Sequence, residues 1–399
     1  MKLIINGTSL IPPLSGIGRY TQNLLKCLLD PMQFDRSAIE RIQALTPLSV
    51  YEQEALKQLL DTLDQELPQN KQGRSLNRLK QIKSIVKRIP IANSLKRTVQ
   101  QSLLKNKLAS FKGSIYWEPN YILEKFDGVS IPTIYDLSHI RYPAFHPIER
   151  RRWLDGNLIK TIERAAEIIT ISEFSKSEIL ENFSIRHEDI TIVPPAVSDE
   201  FREEYTRVEK TEIRHLYELP VSFILSVGTL EPRKNLAGLL AAFEVLPNAF
   251  KASCPLVIVG CSGWLSDDID KIMQPMVQKK QVIRLGYVPQ HHLPILFSAA
   301  SLFVYISYYE GYGMPVAEAM CSGVPIITSN LSSMPEVAAN CATLVNPSDK
   351  EQIAQEIQEL MENKIKRIDQ VKRAKKQSDH YVWEDSAQKL VKIFQRHGS

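Results

Sequence analysis

"SLFVYISYYEGYGMPVAEAMCSGVPIITS", Ser301 to Ser329, predicts one strand–loop–helix–strand unit. The first strand ends near Ser307, and Pro315 stands where the first turn of a helix accepts a proline. Both flanking strands are almost continuously apolar. Strands of that kind, joined by helices, are typical of a parallel sheet that is covered on both faces.

The same alternation of short apolar strands and helices extends along most of the chain. The C-terminal half adds "SFILSVG", "PLVIVG", "QVIRLG" and "ATLVNP", and the N-terminal half adds "SIYWEP", "IPTIYDL", "EIITIS" and "DITIVPP". The polar stretch "AVSDEFREEYTRVEKTEIRHL" predicts an interdomain linker. We therefore predict an α/β fold with two Rossmann-like domains facing across a cleft, over residues 1–200 and 201–380, and a last helix within 381–399.

Composition and cysteine usage place the protein in a reducing compartment. The 399 residues are 44% hydrophobic and 24% charged, and the five cysteines show no metal-ligand spacing, so we expect neither disulfides nor a metal site. The start "MKLIINGTS" predicts a first strand rather than a secretory signal. We expect the protein either free in the cytoplasm or peripheral on the cytoplasmic face of the inner membrane.

One segment carries an excess of positive charge. Between Glu66 and Glu118 there are 12 lysines and arginines and no acidic residue. The apolar residues Leu76, Leu79, Ile82, Val86 and Ile89 recur at helical spacing. We predict a basic helical insertion over about residues 60–112, which is either a surface hairpin with its apolar face in the core or, over 71–112, a face for anionic lipid or an anionic lipid-linked substrate.

Two glutamates flank the start of the helix in the opening stretch. Glu310 lies in the loop after the strand, and Glu318 follows in the first turns of the helix with seven residues between them. Glycines in the loop let the backbone approach a ligand, and the helix start offers unpaired N–H groups. The pair could bind the hydroxyls of a sugar and of a ribose, or could cap the turn and complement the helix dipole for about 0.3 to 1 kcal/mol each.

Two further motifs follow strands. In "SVGTLEPRKNLAGLL", Arg233 and Lys234 precede a helix that Asn235 can cap, and two cations at a helix start form an anion site that suits a diphosphate. The alternative is two solvated loop cations. In "PLSGIGRYTQNLL", Gly16 and Gly18 allow either a close approach to phosphate or a plain helix entry.

Together these motifs resemble a known enzyme family. The string "EGYGMPVAEAMCSGVPII", with "GTLEPRKN" upstream, is similar to the retaining nucleotide-sugar glycosyltransferases of family 4, which have the GT-B fold. The resemblance is continuous from about Ser222 to Pro347, is fainter elsewhere and leaves out residues 35–112. Within the family, "SGIGRYT" and "GTLEPRKN" are most similar to bacterial mannosyltransferases that build lipid-linked polysaccharides and O-antigens from GDP-mannose.

The resemblance implies a role for each motif. Glu310 would accept hydrogen bonds from the donor hexose, Glu318 would bind the ribose, and the two cations would neutralise the diphosphate leaving group without a metal or another cofactor. Backbone amides would hold the sugar from one side, and the turn after the first strand would close over the donor from the other. These backbone positions are Gly311, Tyr312, Gly313 and Met314 in the donor domain, and Gly16, Ile17 and Gly18 in the acceptor domain.

The sequence departs from the family at one position. Many relatives carry a histidine directly before the aspartate of the "DLS" stretch, whereas this chain has Tyr135 before Asp136 and a histidine, His139, three residues later. We expect Asp136 rather than His139 to be the catalytic contact from the N-terminal domain.

The predicted function is retaining transfer of a hexose, with GDP-mannose as first donor, to a hydroxyl of a lipid-linked or polysaccharide acceptor. One alternative is a soluble glucosyltransferase that uses ADP- or UDP-glucose. Another is a nucleic-acid-binding protein that uses the basic segment, but Tyr51 is the only aromatic residue between Phe34 and Phe111, so stacking platforms are missing. We expect a nucleotide-sugar donor and a glycan or lipid-linked acceptor as partners, and no nucleic acid. If residues 71–112 form a lipid-binding face rather than a surface hairpin, an anionic membrane surface is a further partner.

Overall fold

The computed structural model of the chain describes residues 1–12, 14–30, 39–64, 101–261, 263 and 267–398. These residues form two larger sheets, one after the other along the chain, and a separate pair of strands. The predicted fold class, two Rossmann-like domains facing across a cleft, is confirmed. In the described ranges, no helix combines the length and the apolar composition that crossing a bilayer requires.

The N-terminal sheet has the strand order β3-β2-β1-β4-β5. Its strands are β1 (Lys2–Asn6), β2 (Arg41–Leu45), β3 (Val50–Tyr51), β4 (Ile115–Glu118) and β5 (Ser130–Pro132). All pairs are parallel except β2 with β3, which closes one edge. A bridge from Thr133 to Ile169 joins β5 to the parallel pair β6 (Ile168–Thr170) and β7 (Ile190–Ile192).

Helices cover the N-terminal sheet. They are α1 (Gly16–Leu29), α2 (Gln53–Asp64), α3 (Ser138–Arg141), α4 (Ile148–Arg164) and α5 (Glu173–Asn182). Residues 101–108 are also helical, and Leu104 and Leu108 are buried in a cluster with Ile4 and Tyr116. In this part of the basic segment Leu104 and Leu108 therefore pack into the domain, while Leu103 is exposed. The five periodic residues from Leu76 to Ile89 lie outside the described residues.

The C-terminal sheet is parallel throughout, with the order β10-β9-β8-β11-β12-β13. Its strands are β8 (Ile224–Val227), β9 (Leu256–Val259), β10 (Val282–Gly286), β11 (Leu302–Tyr305), β12 (Ile326–Ser329) and β13 (Thr343–Val345). The order reverses between β8 and β11. Ligands of such sheets bind beyond the carboxyl ends of the strands at this point.

The helices of the second half continue the numbering. They are α6 (Arg207–Leu216), α7 (Leu236–Val245), α8 (Asn248–Ser253), α9 (Asp267–Gln278), α10 (Leu293–Ala299), α11 (Met314–Cys321), α12 (Met334–Ala338), α13 (Lys350–Glu362), α14 (Lys364–Ser378) and α15 (Trp383–His397). The predicted linker is largely ordered. Phe201 is 2% exposed, and α6 begins with a capping box between Thr206 and Glu209 and packs against α10. The charged composition of this stretch belongs to the outer face of a helix, which sequence alone does not distinguish from a linker.

The last helix, α15, packs against α1 of the N-terminal domain. The ring of Trp383 lies 6.0 Å from that of Tyr20, and Phe394 lies 6.1 Å from Trp117. Near its end, His397 contacts the carboxylate of Glu167 at 2.9 Å. The C-terminal end of the chain is therefore anchored on the first sheet.

Candidate functional site

The two motif loops of the C-terminal domain meet where the strand order reverses. One loop joins β8 to α7, and the other joins β11 to α11. Asn235 has a left-handed backbone with φ of +54° and caps α7 by accepting a hydrogen bond from the Gly238 N–H. Its side-chain amide donates to the carbonyls of Ile306, at 3.2 Å, and Pro347, at 2.7 Å. This residue therefore caps the helix as predicted and also ties the two loops together.

The structure brings Glu310, Arg233 and Lys234 into direct contact. One carboxylate oxygen of Glu310 lies 2.7 Å from an Arg233 nitrogen, and the other lies 2.9 Å from the Lys234 ammonium. The hydroxyl of Tyr305 donates to Glu310 at 2.6 Å, and Arg233 also pairs with Glu231 at 3.1 Å. The sequence interpretation placed the three charged residues around different parts of a ligand and did not foresee that they pair with one another.

Charge pairing holds the buried Glu310 ionised. Burial raises the pKa of its carboxyl, but the positive charges of Arg233 and Lys234 outweigh burial and bring it below the ordinary range. Burial lowers the pKa of Lys234 against the opposing effect of Glu310. Two cations and the two carboxylates of Glu231 and Glu310 thus form a cluster that is nearly neutral. Nη2 of Arg233 makes no hydrogen bond among the described residues and remains available to a ligand.

The loop before α11 presents unused backbone donors. Gly313 has φ of +107°, and Pro315 stands in the first turn of the helix as predicted. The Ser333 hydroxyl donates to the carbonyls of Glu310 and Tyr312, so these carbonyl oxygens are satisfied. By contrast, none of the following N–H groups donates to an acceptor in the described part of the chain: Gly311, Tyr312, Gly313 and Met314. These are the four backbone positions predicted to hold a sugar, and at a helix start they favour an electronegative ligand.

Glu318 lies apart from the charged cluster. It sits in the second turn of α11, is half-buried and lines a cavity of about 490 Å³ between the two domains. The cavity is also lined by Gly16 and Arg19 of α1, by Met314 and by His291. Burial raises the pKa of the Glu318 carboxyl to about 7, and the charge of Arg19 opposes this rise. Glu231, Arg233, Lys234 and Glu310 do not line this cavity, so the two glutamates of the motif face different surroundings.

The two glycines of the first motif have different surroundings. α1 begins at Gly16, and Ser15 caps it by accepting a hydrogen bond from the Gly18 N–H at 3.3 Å. A Cβ added at Gly18 would lie 2.4 Å from the Ser9 carbonyl oxygen, whereas one at Gly16 would meet no atom within 4 Å. The Ile17 side chain packs against the core. Gly18 therefore has a structural reason to be glycine, and only Gly16 opens onto the cavity.

Asp136 faces the charged cluster from the N-terminal domain. Its carboxylate accepts hydrogen bonds from the backbone and hydroxyl of Ser138, at 3.0 and 2.7 Å. Its charge is among those that raise the pKa of Arg233. A Cβ added at Gly311 would lie 3.0 Å from the Asp136 Cβ. The predicted N-terminal contact is therefore adjacent to the donor-domain loop.

His139 lies in a buried position near Asp136. It is 3% exposed in α3, its Nε2 lies 3.9 Å from Asp155, and burial lowers the pKa of its ring. Sequence reasoning missed two other neighbours of Asp136. Burial and then the charge of Arg150 lower the pKa of His146 to about 4, while Asp136 opposes them. Tyr121 has φ of +60°, which is rare for tyrosine, and burial and then the charge of Asp136 raise its pKa.

Several contacts hold the donor-domain loop against the N-terminal domain. The Ser172 hydroxyl donates to the Gly311 carbonyl at 2.6 Å. The Tyr309 hydroxyl accepts from the Leu137 N–H at 2.9 Å and donates to the buried carboxylate of Glu178. The two domains therefore meet directly at the residue before Glu310. Sequence reasoning had no signal for this contact, because its partners are separated by more than a hundred residues.

Comparison with known proteins identifies the second half of the chain. Residues 210–377 match the family described as "Glycosyl transferases group 1". This part of the chain is therefore similar to group 1 glycosyltransferase domains. It contains the charged cluster, the unused N–H groups and Glu318, and in the described ranges no group of three or more His, Cys, Asp or Glu side chains could hold a metal ion.

Whole-chain comparisons extend the likeness beyond the group 1 domain. The chain is 29% identical to "O-antigen chain mannosyltransferase B" of Escherichia coli over 397 residues, which cover 99% of each protein. WaaG, a glycosyltransferase involved in lipopolysaccharide biosynthesis, superposes with a TM-score of 0.70 at 14% identity over 99% of both chains. Anabaena HepE, solved with UDP and glucose, superposes with a TM-score of 0.68 at 14% identity, over 99% of this chain and 100% of its own. The predicted resemblance to GT-B glycosyltransferases, and among them to O-antigen mannosyltransferases, is confirmed.

Proposed function

We propose that the protein is a retaining glycosyltransferase that moves a hexose from a nucleoside-diphosphate sugar to an acceptor hydroxyl. The observation that carries this proposal is the edge of the C-terminal sheet where Arg233, Lys234, Glu310 and four unused N–H groups converge beside the cleft. Mannose from GDP-mannose is the first candidate donor, because the E. coli relative named as an O-antigen mannosyltransferase aligns with almost the whole chain.

The cations bind the diphosphate in this proposal. Arg233 offers Nη2, and Lys234 is 14% exposed, so both can reach a ligand while they remain paired with Glu310. Negative charge grows on the diphosphate as the glycosidic bond breaks, and fixed positive charges in a nearly dry site stabilise that change. We propose that these two side chains carry the role that a metal ion has in other transferases.

Different groups bind the sugars. The Glu310 carboxylate accepts hydrogen bonds from hydroxyls of the donor hexose, and the N–H groups of Gly311 to Met314 donate to it. Glu318 accepts from the two ribose hydroxyls, in a cavity whose volume of about 490 Å³ suits a nucleoside. Asp136 approaches the hexose from the opposite wall. HepE, which binds UDP and glucose in its solved structure, supports a nucleotide and a sugar as joint occupants of such a cleft.

We propose that transfer proceeds without a protein nucleophile. The bond between the anomeric carbon and the phosphate oxygen breaks while the bond from the acceptor oxygen forms on the same face of the sugar. The departing phosphate oxygen takes the acceptor proton, so the nucleoside diphosphate leaves with that proton and the configuration is retained. We propose a glycan or lipid-linked acceptor, and a protein that is cytoplasmic or peripheral on the inner membrane.

A thermal-shift panel with GDP, UDP, ADP and their sugars tests the proposal. A ligand at 100 times its dissociation constant stabilises its domain by about 2.7 kcal/mol, and we expect GDP and GDP-mannose to give the largest shifts. Arg233→Ala should lose most of that shift, and turnover with GDP-mannose should survive EDTA. A larger shift with ADP or UDP would favour the glucosyltransferase alternative. No shift with any diphosphate would contradict the proposed function.

A further inference from the structure

Two short backbone segments from different domains lie against each other in the cleft. One is residues 135–137 of the N-terminal domain, around Asp136, and the other is residues 309–311 of the C-terminal domain, around Glu310. A Cβ added at Gly311 would lie 3.0 Å from the Asp136 Cβ. The two acidic residues that the proposed function assigns to the donor hexose therefore belong to backbones in close contact.

A tyrosine bridges the two segments on one side. The hydroxyl of the buried Tyr309 accepts a hydrogen bond from the Leu137 N–H at 2.9 Å and donates to the buried carboxylate of Glu178 in α5. Burial and then the charge of Asp136 raise the pKa of Tyr309, so its hydroxyl keeps its proton. This bridge joins the residue before Glu310 to the residue after Asp136.

A serine bridges the same segments on the other side. Ser175 is fully buried in α5, and its hydroxyl donates to the Tyr135 carbonyl at 2.8 Å and lies 3.2 Å from the Gly311 carbonyl. Ser172 and Glu178 stand three residues before and after Ser175, and residues at this spacing share one face of a helix. One face of α5 therefore contacts both segments.

Other bonds fix the two acidic side chains within their own domains. Glu310 is paired with the cations of the charged cluster, and the Asp136 carboxylate accepts from Ser138. These bonds orient each carboxylate but act inside one domain each. The separation of the two carboxylates depends instead on contacts between the domains, and the two bridges lie directly beside both residues.

We propose that Tyr309 and Ser175 are positioning residues that set the distance between Asp136 and Glu310, so that one hexose contacts both. This inference rests on the proposed function. A hydrogen bond requires its donor and acceptor within about 3 Å, so a wider separation of the two walls removes one of the contacts to the sugar. The nucleoside diphosphate alone has no hexose, and its binding does not depend on this distance.

Titration calorimetry with GDP and with GDP-mannose tests the two bridges. Tyr309→Phe keeps the ring and removes the hydroxyl, and Ser175→Ala removes the hydroxyl of the other bridge. Each substitution should raise the dissociation constant of GDP-mannose about tenfold and change that of GDP less than about twofold. If the thermal-shift panel favours UDP or ADP, the titration uses that diphosphate and its glucose conjugate.

Two matched substitutions control for the loss of a hydroxyl. Tyr116→Phe removes a buried hydroxyl that donates to the buried carboxylate of Glu118, at 2.6 Å, within the N-terminal domain. Ser177→Ala removes a hydroxyl of α5 that donates to the Phe174 carbonyl, at 2.8 Å, within the same helix. Both controls should bind GDP-mannose and GDP as the wild type does.

The outcomes of the titration are distinct. The proposal is overturned if Tyr309→Phe and Ser175→Ala bind GDP-mannose as tightly as the wild type does. An equal loss of affinity for GDP and GDP-mannose would overturn it too, because the bridges would then support the donor site as a whole. A selective loss in one variant alone would assign the role to that bridge and overturn it for the other. Failure of the proposed function shows separately, as the absence of any nucleoside-diphosphate shift in the wild type.

Discussion

At the scale of single residues, Glu310 neutralises two cations and, in the proposed function, also binds the donor hexose. Its carboxylate is paired with Arg233 and Lys234, so part of its charge is already used before a donor binds. A diphosphate that enters such a cluster meets two cations and two carboxylates, and its attraction is weaker than the cations alone would give. Among the described residues Glu318 makes no salt bridge, although the charge of Arg19 acts on it. Its pKa of about 7 makes its charge depend on pH near neutrality.

Glu310→Gln separates the two roles of this residue. The amide keeps the shape but removes a negative charge beside Arg233 and Lys234, so GDP should bind as tightly as to the wild type or more tightly. Turnover of the sugar donor should fall sharply. The free energy of unfolding should fall by about 3 kcal/mol, because a buried ion pair has lost one partner. Titration calorimetry with GDP, product formation and denaturant unfolding measure the three effects.

Glu231→Gln is the comparator for this prediction. Glu231 also pairs with Arg233, at 3.1 Å, but it lies on the other loop and is not proposed to contact the hexose. Glu231→Gln should also bind GDP as tightly as the wild type or more tightly. It should reduce turnover much less than Glu310→Gln does. If Glu310→Gln weakened GDP binding instead, Glu310 would have to position the cations for the diphosphate, and the assignment of its carboxylate to the hexose would lose its support.

At the scale of elements, the start of α1 shows how two glycines of one motif can differ. Gly18 lies against the Ser9 carbonyl, and Gly16 opens onto the cavity. Gly18→Ala should therefore destabilise the fold by about 1 to 3 kcal/mol through overpacking. Gly16→Ala should leave the free energy of unfolding unchanged or slightly raised, because alanine favours a helix, yet weaken GDP binding. Denaturant unfolding and calorimetry of both variants give the comparison.

The outcome for Gly16 decides whether α1 belongs to the donor site. Wild-type affinity for GDP in Gly16→Ala would exclude a close approach of a ligand to this backbone. The same loss of stability in both variants would mean that the open space beside Gly16 is filled in solution.

Strands, helix starts and helix caps were predictable where a short stretch of sequence determines them. Short apolar runs gave all six strands of the C-terminal sheet, Pro315 marked the first turn of α11, and Asn235 marked the cap of α7. The contact between Glu310 and Arg233 was not predictable in the same way, because 77 residues separate them and two loops must fold before they meet. The helix α6 within the predicted linker was not foreseen, since a solvated helix face and a polar linker share the same composition.

At the scale of the whole molecule, the domains meet through the site itself. Ser172 and Leu137 of one domain bond to Gly311 and Tyr309 of the other. Glu336 of α12 also accepts from the N–H groups of Glu173 and Phe174 at the start of α5, at 2.9 and 3.1 Å. These contacts flank Glu310, so the relative position of the domains and the geometry of the donor loop are coupled.

The distribution of charge over the molecule motivates the last prediction. In the described part of the basic segment, Leu104 and Leu108 face the core and Lys107 donates to the Thr46 carbonyl at 3.0 Å, so this part serves the domain. The remaining positive charge lies in residues 65–100, outside the described residues, and its role stays a prediction from sequence. Each basic residue near an anionic lipid surface contributes about 1 kcal/mol of attraction.

Co-sedimentation with liposomes tests whether that charge serves a membrane. The wild type should pellet with anionic vesicles at low salt and be released as salt screens the attraction. Replacement of Lys80, Lys83, Lys87 and Arg88 by glutamine should abolish pelleting and leave the GDP thermal shift intact. Glutamine at Lys364, Lys372, Lys375 and Lys376, in or at the start of α14 of the other domain, removes the same charge as a control and should not release the protein. If the wild type does not pellet with anionic vesicles at low salt, the segment is interpreted as a structural hairpin. If both sets of substitutions release the protein, net charge alone drives the attraction.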